Sequence, residues 1–271
     1  MIKKEPLVSI LINNFNKENF CEKAVKSAIN QNYNKLEVIF YDDSSSDQSL
    51  NRIVTLKKKN KYKKIKIIKN RLRGEFSSHN QIVGIKRSLK KSKGEIICLL
   101  DSDDWFKKNK IKKIVEFFRN NKKQDILFDK PLFFSKEDIK KTDIKYGKRE
   151  NSWPRFPPTS CISLRKKSLE FVVRKIFFKD CPDLWIDFRL ASFYAIKKNQ
   201  FNLSSDYLTY YRQLPNSNEK KYEKFLNFAW WNRRNQAFKF INLINKKNYK
   251  KYKTFDFYLT KIIFTFLSFL K

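Results

Sequence analysis

The sequence predicts an α/β protein built on a doubly wound, mostly parallel sheet with helices on both faces. Two observations predict it. Apolar runs of strand length alternate with segments of helical periodicity through about residue 120, and such alternation gives parallel strands joined by right-handed crossovers. In addition, two of the runs stop abruptly in acids, at Asp42-Asp43 and at Asp101-Ser102-Asp103-Asp104. Strand carboxyl ends share one edge of an open parallel sheet, and ligands bind along that edge. The two clusters are therefore expected to meet across one crevice.

Each element has its own signal. Leu7 to Ile12 is a buried strand bounded by Pro6 and Asn13-Asn14. Phe20, Cys21, Ala24, Val25, Ala28 and Ile29 recur at helical spacing. Leu36 to Tyr41 is the second strand, and a helix follows with Leu50, Ile53 and Val54 inward and Ser46 or Asp47 as N-cap. Ile65 to Ile68 is the third strand, followed by a helix with Ile82, Ile85 and Leu89 that ends near Gly94. The run from Glu95 to Leu100 enters the second acid cluster. A helix with Ile111, Ile114, Val115 and Phe118 starts near Lys107, and Asp104 or a neighbour is placed to cap it.

Beyond Gln124 the rhythm changes. Asp125 to Phe128 reads as a fifth strand, residues 135–150 as a charged surface loop, and Tyr207 to Arg212 as a short strand. Ser152 to Ser160, rich in aromatics and proline, is a substrate-facing loop or a simple connector. Helices are expected from Asp183 and over 219–247. The apolar tail from Phe255 to Leu270 is shorter than the ~20 residues a membrane-spanning helix needs. Lysines precede it, a combination that suits an anionic lipid surface; a helix docked on the core is the plain alternative.

Composition narrows the function. The 271 residues carry a formal charge of +34, with 41 % hydrophobic and 16 % aromatic content. That is a folded chain seeking an anionic partner: nucleic acid, a membrane surface or a phosphorylated substrate. The basic residues are spread along the chain without a nucleic-acid-binding motif, which argues against DNA or RNA. The four cysteines are widely spaced; Cys21 and Cys98 suit buried, reduced thiols. With His79 as the single histidine, an ordinary zinc site is not expected. Residues 1–6 contain no apolar signal segment, so a cytoplasmic location is expected, with the inner membrane face as a candidate docking surface. No GxGxxG follows the first strand and no GxxxxGK[ST] occurs, which removes the dinucleotide-binding and P-loop readings.

Acids this close repel one another unless a cation sits among them, and carboxylate oxygens suit Mg²⁺ or Mn²⁺. Taken together, Val8-Ser9-Ile10-Leu11-Ile12-Asn13-Asn14-Phe15-Asn16, Ala28 to Tyr33, Tyr41-Asp42-Asp43-Ser44-Ser45-Ser46-Asp47 and Gly94 to Asp104 resemble a family-2 glycosyltransferase of the GT-A fold. The likeness covers residues 7–106 and returns only at Asp183 to Ala191 and Tyr210 to Arg212.

The resemblance implies an inverting transfer of a sugar from a nucleotide-diphosphate donor, a UDP-sugar by preference, to a hydroxyl of a glycan or lipid-linked acceptor in bacterial surface-glycan biosynthesis. Phe15, where the family usually has Tyr, would lie against the base, and Asp43 would accept its imide N–H. Asn13, Asp101 and Ser102 would join the nucleotide site. Asp103, with Asp101 or Asp104, would hold Mn²⁺ or Mg²⁺. Asp183 falls at the position of the general base, with Asp187 as the alternate. Arg71 or Arg73 would face the phosphates, unless both are simply solvated. His79-Asn80 stands where relatives carry Arg-Asn. The expected division is a GT-A domain over residues 1–212, with a nucleotide-sugar half (1–130) and an acceptor half (131–212), then a helical extension over 213–271. The alternatives from other classes are a basic nucleic-acid-binding protein and a catalytically inactive scaffold.

Overall fold

The computed structural model describes residues 5–59, 64–135, 138–214, 221–222, 224–225 and 227–270. Strands β1 (Val8–Asn14), β2 (Leu36–Asp42), β3 (Ile65–Lys69) and β4 (Ile96–Asp101) alternate with helices α1 (Cys21–Ile29), α2 (Ser49–Lys58) and α3 (Ser77–Lys91). They pair in parallel in the order β3-β2-β1-β4, with Asn13 beside Tyr41 on one flank and Asp101 on the other. The chain thus reverses its winding direction between β1 and β4, and a crevice opens there at the strand ends.

Alternation of side chains splits the core between two faces. Val8, Ile10 and Ile12 of β1 and Ile96, Cys98 and Leu100 of β4 pack with α1, α2 and α4 (Lys110–Asn120). Leu11, Ile97 and Leu99 point the other way, into a layer formed by α3, α5 (Lys166–Lys175), α6 (Ile186–Lys197) and α7 (Phe228–Ile244). Strands buried on both faces are continuous apolar runs, which is why they stand out in the sequence. All four cysteines are buried free thiols.

The second half departs from simple winding. The fifth strand extends to Ser135 as β6 (Ile126–Ser135), and β8 (Ile162–Arg165) inserts antiparallel between it and β4. β9 (Leu203–Arg212) runs parallel to β6 and carries the two-residue β5 (Trp105–Phe106) on its far side, while β7 (Asp138–Lys140) pairs with β6 inside the expected surface loop. The two-residue β5 has no periodicity of its own and exists through its partner β9, whereas β8 alternates apolar and polar over Ile162-Ser163-Leu164-Arg165 in only four residues. α7 begins at Phe228, later than the sequence pattern suggests; residues 219, 220, 223 and 226 of the expected helix, and residues 1–4 of the amino terminus, lie outside the described residues. α8 (Phe255–Phe269) packs on α7.

Candidate functional site

The chain turns away from β1, β2 and β4 at residues whose polar side chains close these turns. Ser44 has a positive φ of 60° and Asn16 one of 50°. Asn14 Nδ2 donates to Asp42 Oδ1 (2.9 Å) and to Ser45 Oγ (3.1 Å), locking the two strand ends together. Asp42 is thereby a structural acid. Asp47 accepts from the Ser49 and Glu18 amides (2.9 Å each) and joins the start of α2 to the loop after β1.

The next acid, Asp43, faces the crevice. Its oxygens accept from Asn70 Nδ2 (2.8 Å) and Arg73 Nε (2.9 Å). The Arg73 guanidinium also lies 3.7 Å from the centroid of the Phe15 ring and donates to Ser77 Oγ (2.9 Å). Arg73 therefore lines the crevice, and Arg71 is exposed beside it. Asn80 fixes this loop through paired bonds to the Gly74 amide (3.0 Å) and carbonyl (2.7 Å).

The β4 acids divide by environment. Asp101 and Asp103 line the crevice with Asn13, Phe15 and Asp43. Ser102 does so too, and its amide donates to the Asn13 carbonyl (3.1 Å). Asp104 turns inward instead: it is buried and accepts from Ser160 Oγ (2.6 Å) and the Arg212 amide (2.8 Å). It caps no helix, since α4 starts only at Lys110, and its bonds tie β9 to the β4 turn. Burial first, then the Asp103 and Asp101 carboxylates, holds its pKa well above the usual carboxylate range.

Beneath this turn is a wholly buried ion pair. Lys110 Nζ donates to Asp129 Oδ2 (2.5 Å), the Ser160 carbonyl (2.8 Å) and Thr209 Oγ1 (2.7 Å). Ser160 Oγ in turn accepts from the Asp101 amide (2.9 Å). A buried pair with all its hydrogen bonds satisfied specifies geometry more than it stabilises, and here it sets the position of the acid-bearing turn.

Asp101 is pushed up to about 7 by burial, then by the Asp103 and Asp187 carboxylates, against a hydrogen bond from Gln81 and the charge of Lys17. Its folded value lies above the unfolded one, so between about pH 4 and 7 the folded protein holds a proton that the unfolded chain has released. Its stabilising contribution is complete below about pH 4 and is lost as pH rises through about 7. Asp101→Asn is expected to flatten this dependence and to raise urea resistance near pH 8 relative to the parent, a gain absent near pH 4.

The relation between Asp183 and Asp187 follows from Arg189. Its guanidinium is wholly buried and donates to the carbonyls of Leu184 (2.8 Å), Ile176 (2.6 Å) and Cys181 (2.6 Å). Burial lowers its pKa to about 10. This one side chain satisfies the carbonyls of the loop ahead of α6, so the helix starts at Ile186 rather than at Asp183. Asp183 remains in the loop, its carboxylate accepting from Tyr222 Oη (2.5 Å), Asn232 Nδ2 (2.9 Å), Gln236 Nε2 (2.8 Å) and Lys221 Nζ (3.2 Å). Asp187, in the first turn of α6, lines the crevice and Asp183 does not. Arg189→Lys, which cannot reproduce the planar fork, is expected to destabilise the fold by about 3 kcal/mol or more in urea unfolding.

Two residues of the crevice, Lys17 and Gln81, have no local sequence signal. Lys17 Nζ lies 2.7 Å from Asp103 Oδ2. Gln81 donates to Asp101 Oδ1 (3.2 Å) and accepts from the Ile186 amide (3.3 Å), linking α3, β4 and α6. Trp185, Tyr211 and Arg212 also line the crevice, as do Pro158 and Thr159 of the aromatic, proline-rich loop. Gly84 gives the site room: a Cβ there would lie 2.6 Å from the Tyr41 ring and 2.7 Å from Asn13 Oδ1. His79 does not line the crevice; it packs between the Phe76 and Phe177 rings.

Among the described residues no group of three or more His, Cys, Asp or Glu side chains is arranged to hold a metal alone. The donor set nonetheless fits a hard divalent cation shared with phosphate. Mg²⁺-type ions take one or two carboxylates and complete their shell with phosphate and water oxygens. Asp101 and Asp103 provide two carboxylates; burial, and then the Asp103 charge, raises Asp101, and the Lys17 ammonium lies on Asp103. Among the described residues Asn13 Oδ1 and Asn14 Oδ1, in the same crevice, are buried acceptors without a donor.

The family model described as glycosyl transferase family 2 matches residues 9–198. An uncharacterised glycosyltransferase of Nostoc sp. is 27 % identical over 222 residues, covering 76 % of this chain and 64 % of that protein. The Escherichia coli UDP-Glc:alpha-D-GlcNAc-diphosphoundecaprenol beta-1,3-glucosyltransferase WfaP is 31 % identical over 141 residues, covering 51 % of this chain and 50 % of that one. The chain thus spans less than two thirds of either relative. Among solved structures, Staphylococcus aureus TarS 1–349 in complex with UDP superposes with a TM-score of 0.64 at 18 % identity, covering 90 % of this chain and 68 % of that one; this likeness establishes the fold.

Proposed function

The chain belongs to glycosyl transferase family 2 and is a glycosyltransferase of GT-A architecture, and from that premise we propose that it transfers a sugar from a UDP-sugar to a hydroxyl of a lipid-linked bacterial glycan, with inversion. The observation that carries this reading is the convergence of Asp43, Asp101, Asp103 and Asp187 on one crevice with Phe15.

In this reading the uracil lies against Phe15 and gives its imide N–H to Asp43, whose oxygens retain lone pairs beyond those used by Asn70 and Arg73. The ribose hydroxyls meet Asp101, Ser102 and the unpaired Asn13 and Asn14 oxygens. A bound Mn²⁺ or Mg²⁺, held by Asp103 with Asp101, supplies positive charge against the departing diphosphate. Lys17 and Arg212 add fixed positive charge at the same end of the crevice. Asp104, with both oxygens engaged inside the fold, serves the turn instead.

Asp187 acts as the general base. It takes the acceptor hydroxyl proton as that oxygen attacks the anomeric carbon, the bond to the diphosphate oxygen breaks, and the nucleotide leaves with the electron pair. Attack opposite the leaving group inverts the anomeric centre. The lipid-linked acceptor is proposed because the name of WfaP specifies a diphosphoundecaprenol-linked sugar, and a location on the cytoplasmic side, at the inner face of the membrane, is proposed with it. The test is a panel of sugar nucleotides assayed with Mn²⁺ for hydrolysis and thermal stabilisation. UDP-sugars are expected to raise Tm and to be turned over; stabilisation by other nucleotides with none by UDP would overturn the donor assignment.

A further inference from the structure

α8 is two-sided in an unusual way. One side meets α7: Phe257 packs edge-on against Phe238 (5.2 Å between centroids), Phe264 stacks with Phe228 (5.7 Å), and Thr260 is buried. Asp256 accepts from Arg234 of α7, so the acid at the head of α8 is neutralised. On the other side Phe255, Tyr258, Ile262, Phe266 and Phe269 recur at three- and four-residue spacing, which places them on one stripe. They are 82, 53, 68, 62 and 84 % exposed. A soluble surface rarely bares so continuous an apolar stripe without a partner for it.

Charge identifies the partner. The turn leading into α8 presents Lys246, Lys247, Lys250, Lys251 and Lys253, all exposed, and Asp256 is the one acid from residue 246 to the end of the sequence. A second copy of the chain, with the same lysines and a formal charge of +34, would be repelled along this face. An anionic lipid surface satisfies both halves, taking the rings into the acyl boundary and the ammonium groups onto the headgroups. No described helix is long and apolar enough to cross a membrane, and at 1.5 Å per residue the helix falls short of a ~30 Å hydrocarbon core.

We propose that α8 lies in the plane of an anionic bilayer, its exposed stripe inserted and the lysines of residues 246–253 on the headgroups. This deepens the reading of the chain as an enzyme of lipid-linked acceptors and rests on it for its purpose. α7, beneath α8, carries the Asn232 and Gln236 that hold Asp183 ahead of α6. Docking thus anchors the layer that leads to Asp187.

The test is flotation of the full chain with vesicles of phosphatidylcholine, with and without phosphatidylglycerol. Binding is expected with the anionic vesicles and is expected to fall with salt. Replacing Lys250, Lys251 and Lys253 with Gln should weaken it by about 100-fold, at about 1 kcal/mol for each charge. I262S/F266S should abolish it with the circular dichroism spectrum unchanged. Donor hydrolysis in solution should be the same in all variants, so a failure of the donor chemistry and a failure of docking are read separately. Equal binding to neutral vesicles, or unchanged binding in both variants, would overturn the proposal. So would a dimer in sedimentation that I262S/F266S dissolves while vesicles are ignored.

Discussion

Asp187→Asn is expected to lower kcat by about 10²–10⁴-fold, with donor KM nearly unchanged and the fold intact. The amide can still accept from the Phe188 N–H, as the Asp187 carboxylate does at 2.7 Å, so the first turn of α6 keeps its local bond. What is lost is a proton acceptor in the crevice. Asp183→Asn should behave in the opposite way. Its oxygens receive donors from Tyr222, Asn232, Gln236 and Lys221, and an amide nitrogen placed among them meets donors with a donor. A lower Tm with kcat largely retained is the expected result. Kinetics and thermal unfolding of the two variants decide the matter, and a loss of kcat in Asp183→Asn at unchanged Tm would return the base to Asp183.

Asp103→Ala is expected to reduce sugar-nucleotide turnover by about 10²–10³-fold, the scale of losing one electrostatic element aimed at developing charge. The variant should not be less stable. After burial, the Asp103 carboxylate is the strongest influence that raises Asp101, so its removal relieves repulsion, and the lost partner, Lys17, is 30 % exposed and can be solvated. A carboxylate whose loss leaves the donor-free protein no less stable yet removes turnover is the signature of a site built to bind a cation. The assay is Mn²⁺-dependent donor hydrolysis alongside thermal unfolding. Parent-like turnover in Asp103→Ala would remove this acid from the metal site.

The first half of the chain was readable because its physics is local. Strands buried on both faces must be apolar throughout, as Val38, Ile39 and Phe40 are, and chain polarity puts Asp43 and Asp101 on the same sheet edge once the strands are parallel. The remainder of the crevice depends on tertiary convergence. Gln81 reads as a polar helix position until α3 packs so that it reaches both Asp101 and the Ile186 amide. Lys17 is one of many lysines until the loop after β1 brings it to Asp103. Asp183 and Asp187 differ because a buried guanidinium at position 189 gathers the carbonyls before them and delays the helix start. β5 has only two residues and pairs with β9, far along the chain, so its sequence holds no alternation to find.

Acids just beyond the ends of two strands distant in sequence, at positions 43 and 103, are expected to bind one nucleoside diphosphate and its cation. Calorimetric titration of UDP with Mn²⁺ into the parent, Asp43→Ala, Asp103→Ala and the double variant tests it directly. Affinity is expected to fall in each single variant, and the Asp103→Ala protein should also lose its dependence on Mn²⁺. Parent-like UDP affinity in both single variants would contradict the account.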